Sequence, residues 1–170
     1  MCVIVYKPKG IQMPSDRIIT ACARANRDGF GFCTPDKFFK STSLIAFENK
    51  LGSVRVDEPC IMHFRYATHG SVIQSNCHPF RQGNVSFAHN GILDIRPLKG
   101  KTDSETAFIK VIYPAIARYG LDSDEAKEAI ADIIGYSKFA IMQGDEVRLF
   151  GDYETHGGCF YSNTRFVYYM

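Results

Sequence analysis

Residues 1–10 read MCVIVYKPKG, and the second position decides how the rest is understood. Cys2 is open to two readings. A free cysteine packs as a small hydrophobe, so it could simply begin a buried strand ahead of Val3, Ile4 and Val5. Alternatively Met1 is trimmed during maturation, which leaves a thiol and a free α-amine on one residue, a nucleophile and a base sharing one carbon. Both readings make the segment a short strand that Pro8-Lys9-Gly10 ends.

Working outward, the 170 residues suffice for one well-buried domain over residues 1–170. Hydrophobic residues at 45% and charged residues at 22% are ordinary for a globular chain and argue against disorder or a fibrous repeat. Basic residues number 20 against 18 acidic, and they are scattered rather than striped, which gives nucleic-acid binding no support. No apolar run approaches the roughly 18 residues of a membrane span, and no charged and apolar leader precedes a cleavage site. A cytoplasmic protein without a membrane partner is expected. The six cysteines (Cys2, Cys22, Cys33, Cys60, Cys77, Cys159) are even in number and could pair. A chain able to bury its own core, with no secretory signal, is expected instead to keep them reduced.

Residues 15–25, SDRIITACARA, carry Ile18, Ile19, Ala21, Cys22 and Ala25 at near-helical spacing behind a Ser15 or Asp16 cap. In NRDGFGF (26–32), Asp28-Gly29 reads as a tight turn feeding a strand. SLIAFENKLGSVR (43–55) predicts an excursion containing a helix. From Glu58 to Ala67 a strand is expected with His63, Arg65 and Ala67 on one side and Met62, Phe64 and Tyr66 on the other. An arginine in such a run needs an anionic partner or ligand. VSFAHNGIL (85–93) reads as a strand ending in a polar turn. The helix predicted from TDSE at 102–105 runs to Gly120 with a kink at Pro114, and DSDEAKEAIADIIG (122–135) predicts another. Gly144-Asp145 splits two apolar runs as a hairpin would, and GGCFYSNTRFVYYM (157–170) supplies a further aromatic strand pair or edge. Strands at both ends and helices between them imply a layered α+β domain.

Taken singly, the polar residues in these strands and turns have ordinary structural explanations. Arg65 could pair with an internal carboxylate, Asp103 could be an N-cap, and Asn90-Gly91 could be a turn. Taken together, NRDGFGF (26–32), HFRYATHGS (63–71), NCHPF (76–80), AHNGIL (88–93) and TDSET (102–106) are dense in polar residues where packing alone favours apolar ones. The order Cys2, HFRYATHG (63–70), SNCHPF (75–80), AHNGIL (88–93) and TDSET (102–106) resembles the glutamine amidotransferase domain of class II, a branch of the N-terminal nucleophile hydrolases. The resemblance runs from Cys2 to about Phe108. It departs from the common pattern at Ala25-Asn26, where many relatives carry Arg-Gly, and at Tyr66, where tryptophan is common.

That resemblance implies a four-layer αββα sandwich with two antiparallel sheets between helices. It implies L-glutamine as substrate, Cys2 as nucleophile, and an oxyanion hole from the Asn90 amide and the Gly91 N–H. Arg65 would hold the α-carboxylate through paired charge-assisted bonds, with Thr68, His69 and Gly70 lining that end, and Asp103 would hold the α-ammonium. Asp28, Gly29, Asn76, His78 and His89 would support the site. No cofactor or metal is implied, and the ammonia would pass to a separate synthase or other acceptor protein. Two alternatives keep the fold: a catalytically silent glutamine-binding subunit, and an amidohydrolase acting on another γ-glutamyl or peptide amide. A zinc site from Cys60-x-x-His63 and Cys77-His78 is the alternative outside this class. Neighbouring Cys77 and His78 point apart on an extended chain, and paired ligand motifs are missing.

Overall fold

In the computed structural model, which describes residues 1–68 and 70–170, Val3–Lys7 forms strand β1. Val3 and Val5 face one apolar layer and Ile4 faces another, so β1 is buried on both sides. Helix α1 (Asp16–Ala25) starts at Ser15, whose side chain makes no capping hydrogen bond. The Asp28-Gly29 turn feeds β2 (Phe30–Cys33), against which β3 (Phe38–Ser41) returns. The excursion at 43–55 is helix α2 (Leu44–Leu51), with Ser43 Oγ accepting from the Ala46 N–H.

The strand expected over 58–67 is β4 (Cys60–Phe64), shorter at both ends. Pro59 has no N–H for the ladder. At the far end Arg65 is still held by Gly29 O and the Asp28 N–H, after which the chain turns away. Short β5 (Phe80–Gln82) pairs with β6 (Val85–Asn90). Helix α3 (Asp103–Ala107) widens into a π turn over Phe108–Ile112 before α4 (Tyr113–Tyr119). The cause is Pro114, which has no N–H for the carbonyl four residues earlier and whose ring crowds it. Helix α5 (Asp124–Ile134) is capped by Ser123.

Strands β7 (Lys138–Gln143) and β8 (Glu146–Phe150) form the hairpin expected at Gly144-Asp145. The C-terminal pair is β9 (Glu154–His156) and β10 (Cys159–Tyr161), and residues Arg165–Tyr169 close as a 3-10 helix.

The strands form two antiparallel sheets in the orders β3-β2-β4-β1-β10-β9 and β5-β6-β7-β8. Three apolar layers separate four structural ones. One lies between the six-stranded sheet and α1 with α2, around Phe32, Phe47 and Phe64. Another packs α3 to α5 on the four-stranded sheet around Phe87, Phe108 and Phe139. The thin middle layer, Ile4, Cys33, Ile61, Ala88, Ala140 and Met142, joins sheet to sheet. This is the αββα sandwich expected from the sequence. Because β10 lies beside β1, Ser162 and Asn163 are delivered next to Cys2. All six cysteines are free thiols. No helix among the described residues is long and apolar enough to cross a membrane.

Candidate active site

Cys2 lies one residue ahead of β1, half-buried. The Tyr66 N–H donates to its sulfur at 3.4 Å, and the thiol donates to Tyr66 O at 3.6 Å. Its carbonyl accepts from Asn163 Nδ2 at 2.8 Å. Burial pushes the thiol pKa up, opposed by the Tyr66 backbone, the Met1 ammonium and the Arg65 guanidinium.

What holds Tyr66 there is the Asp28-Gly29 turn. Asp28 Oδ2 accepts from the Ala67 N–H at 2.7 Å, and Gly29 O accepts from the Arg65 N–H at 2.7 Å. Gly29 sits at φ +146°, and a Cβ there would fall 2.3 Å from Cys77 Sγ, so no other residue fits without displacing its neighbour. Asp28 and Gly29 thus position the loop that touches the thiol.

Asn90 ends β6 with its Nδ2 donating to Ser162 Oγ at 3.0 Å, while Oδ1 is buried with no partner among the described residues. Ser162 is itself fixed, its Oγ accepting from the Ile4 N–H at 2.9 Å and its carbonyl from Lys138 Nζ at 2.7 Å. Gly91 follows at φ +148°, where a Cβ would lie 2.2 Å from Ser137 Oγ.

At the other end Arg65 is buried, donating from Nη1 to Ser71 O at 3.1 Å, and Asn76 Nδ2 donates to the same carbonyl at 3.0 Å. Asp103 opens α3 without capping it. Thr102 is the cap, its Oγ1 accepting from the Glu105 N–H at 3.1 Å. The Asp103 carboxylate accepts instead from the Leu93 N–H at 2.9 Å and the Ser104 hydroxyl at 3.2 Å.

Cys2, Arg65, Thr68, Asn76, His78, His89, Gly91 and Asp103 line one cavity of about 50 Å³. It shares Asn76, Ile92, Thr102 and Asp103 with a cleft of about 580 Å³ that Gly70 and Ile73 also border. It shares Cys2, Tyr66, Thr68 and Gly91 with another of about 540 Å³, which Met1, Asn90 and Tyr136 also border. His69 lies outside the described residues. Among the described residues no three His, Cys, Asp or Glu side chains group to hold a metal ion.

Ser104, Ser137, Ser162 and Asn163 are the residues that sequence reasoning missed. For the last two the signal was a polar Ser-Asn pair immediately after a strand, inside an otherwise aromatic run.

Compared with known proteins, residues 47–151 match the family described as class-II glutamine amidotransferases. The matched span contains Arg65, Asn90, Gly91 and Asp103. The glutamine–fructose-6-phosphate aminotransferase (isomerizing) of Lactococcus lactis is 31% identical over 131 residues, covering 68% of this chain and 22% of that one. The corresponding protein of Caulobacter vibrioides is 32% identical over 118 residues, covering 59% and 20%. The chain therefore spans about a fifth of the length of these curated relatives. Among solved structures, the glutamine phosphoribosylpyrophosphate amidotransferase from B. subtilis, complexed with ADP and GMP, superposes with a TM-score of 0.64 at 21% identity. That match covers 95% of this chain and 41% of the other, a likeness of fold.

Proposed function

Because the chain belongs to the class-II glutamine amidotransferases, we propose that it hydrolyses the side-chain amide of L-glutamine to glutamate and ammonia, with Cys2 as nucleophile. One observation carries this reading. Eight of the residues singled out from the sequence, drawn from five separate stretches, line one small cavity around the thiol.

In this reading, loss of Met1 frees the Cys2 α-amine to take the thiol proton. With unperturbed pKa values of about 8.5 for the thiol and about 7.7–8.0 for the amine, that transfer starts nearly thermoneutral; burial of the thiol makes it uphill, and the Tyr66 N–H and the Arg65 guanidinium offset part of that cost. The thiolate adds to the amide carbon and negative charge gathers on the carbonyl oxygen. The Gly91 N–H and the Asn90 amide meet it; Asn90 uses one of its two N–H groups on Ser162 and has the other for the oxyanion. The Cys2 ammonium gives its proton to the departing nitrogen as the C–N bond breaks. Ammonia leaves and a glutamyl thioester remains. The amine then deprotonates a water, whose attack on the thioester releases glutamate and restores the thiol.

Arg65 grips the α-carboxylate and Asp103 the α-ammonium, with Thr68, His69 and Gly70 lining the head-group end. Asp28, Gly29, Asn76, His78 and His89 hold these groups in place. Residues 1–170 serve as one glutaminase domain, a reading supported by β10 pairing with β1 and so tying the two ends of the sequence together. The ammonia passes to a separate acceptor enzyme, and the six free thiols suit the reducing cytoplasm.

The test is glutaminase activity of the Cys2→Ala variant. We expect a loss of about a thousandfold or more, with the circular dichroism spectrum unchanged. Activity surviving in that variant would remove the mechanism.

A further inference from the structure

Strand β5 begins at Phe80, opposite Phe87, two residues before His89 on the neighbouring strand. Beyond that point two imidazoles take over the backbone partnership. His78 Nδ1 accepts from the His89 N–H at 3.1 Å, and His63 Nε2 meets His89 O at 3.0 Å. A backbone amide only donates and a carbonyl only accepts, so the tautomers are set: His78 carries its proton on Nε2, and so does His63.

The same logic reaches the head-group end. Ser104 Oγ lies 3.2 Å from the Asp103 carboxylate, so the hydroxyl proton goes to Asp103. Ser104 Oγ must then accept from His89 Nδ1–H, 2.7 Å away. His89 is fixed in angle by edge contact with Phe139 and by stacking beside Phe87. Burial holds the three rings neutral, pushing His63 down to about 3, His89 to about 4, and His78 well below its ordinary value. A neutral His89 in one tautomer has one hydrogen to give, and it points at Ser104.

We propose that His89 is a positioning residue for the glutamine head group, acting through Ser104 to aim the Asp103 carboxylate, with His63 and His78 pinning its backbone beyond the reach of β5. This rests on the reading of Asp103 as the ammonium-binding group. It assigns Ser104 a role beyond helix packing, because the hydroxyl relays orientation from a rigid strand to the first residue of a helix.

The experiment uses the full chain with two substrates: glutamine, and glutaramate, which keeps the carboxylate and amide but lacks the α-ammonium. Ser104→Ala removes the relay and leaves the Thr102 cap intact. It should raise KM for glutamine about tenfold, with kcat within about twofold, and leave kcat/KM for glutaramate unchanged. Adding Ser104→Ala to Asp103→Ala should cost nothing further. His89→Asn places an amide N–H near the lost Nδ1–H and should keep KM within about threefold of the parent, while His89→Gln should behave like Ser104→Ala. Ser104→Ala alone decides the matter if the histidine variants do not fold. An unaltered KM, an equal defect on both substrates, or additivity with Asp103→Ala overturns the proposal. Failure of the underlying reading looks different: Asp103→Ala itself would then leave KM for glutamine unchanged.

Discussion

Around Cys2 the site is tied together by contacts between residues 64 to 161 positions apart: Tyr66 on the thiol, Asn163 on its carbonyl, Ser162 on Asn90. Around Asp103 the decisive bonds join residues within 15 positions, Leu93 to Asp103 and His89 to Ser104. The thiol end exists only when β1, β4, β6 and β10 have all assembled, since each contributes or delivers one of its parts. The Asp103 side of the head-group end is a local arrangement of one strand end and one helix start, to which the chain after β4 adds Arg65 and Thr68. Its precision comes from buried neutral imidazoles, whereas that of the thiol end comes from backbone and small polar side chains. A defect in assembly should therefore reach the nucleophile first, and a change of protonation should reach the head-group end first.

The steric margin at the thiol end gives the largest effect after loss of the thiol itself. Gly91→Ala would drive a Cβ to 2.2 Å from Ser137 Oγ and 2.9 Å from the Ser137 backbone, at a φ of +148° that alanine rarely adopts. We expect a loss of about 2–3 kcal/mol in urea unfolding and a fall in glutaminase activity exceeding any shared by unrelated variants of equal stability. Normal stability and activity would mean that this end is far looser than its contacts imply.

A smaller effect sharpens the other half of the comparison. His63 and His89 titrate far lower in the fold, near 3 and 4, than the ordinary value of about 6.5 expected when unfolded. Their contribution is complete above about pH 6.5. Below that pH the unfolded chain takes up protons that the folded one refuses, so stability is lost progressively as pH falls toward the folded values. Between pH 6.5 and 5 the carboxylates held low by hydrogen bonds and ion pairs, Glu58, Asp57 and Asp122, stay largely ionised in both states. A decline of a few kcal/mol in that window therefore reports the histidines. Denaturant midpoints at pH 7, 6 and 5 measure it, and a flat profile contradicts the neutral-imidazole floor.

The same difference explains what could be read in advance. β1, α1, α5 and the Gly144-Asp145 hairpin follow from local periodicity and turn chemistry, and each is found close to its expected place. Strands β3 and β5, four and three residues long, offer too few alternations to register as a pattern. Arg65, Asn90, Gly91 and Asp103 stood out through their order along the chain, since alone each had a structural explanation. Asp103 illustrates the limit: its position before a helix suggested a cap, and only the geometry gave that task to Thr102. Ser162 and Asn163 could not be found by spacing at all, because their partners Asn90 and Cys2 come from the far side of the sandwich and the opposite end of the sequence.

The central claim is that a terminal thiol beside its own amine attacks glutamine. Its most direct test is the intact mass of the purified, active protein before and after reaction with a glutamine-shaped diazoketone. The account predicts a mass lacking Met1 and a single adduct that maps to Cys2 and is suppressed by excess glutamine. Retention of Met1 in protein that turns over glutamine, or an adduct on any other residue, would contradict it.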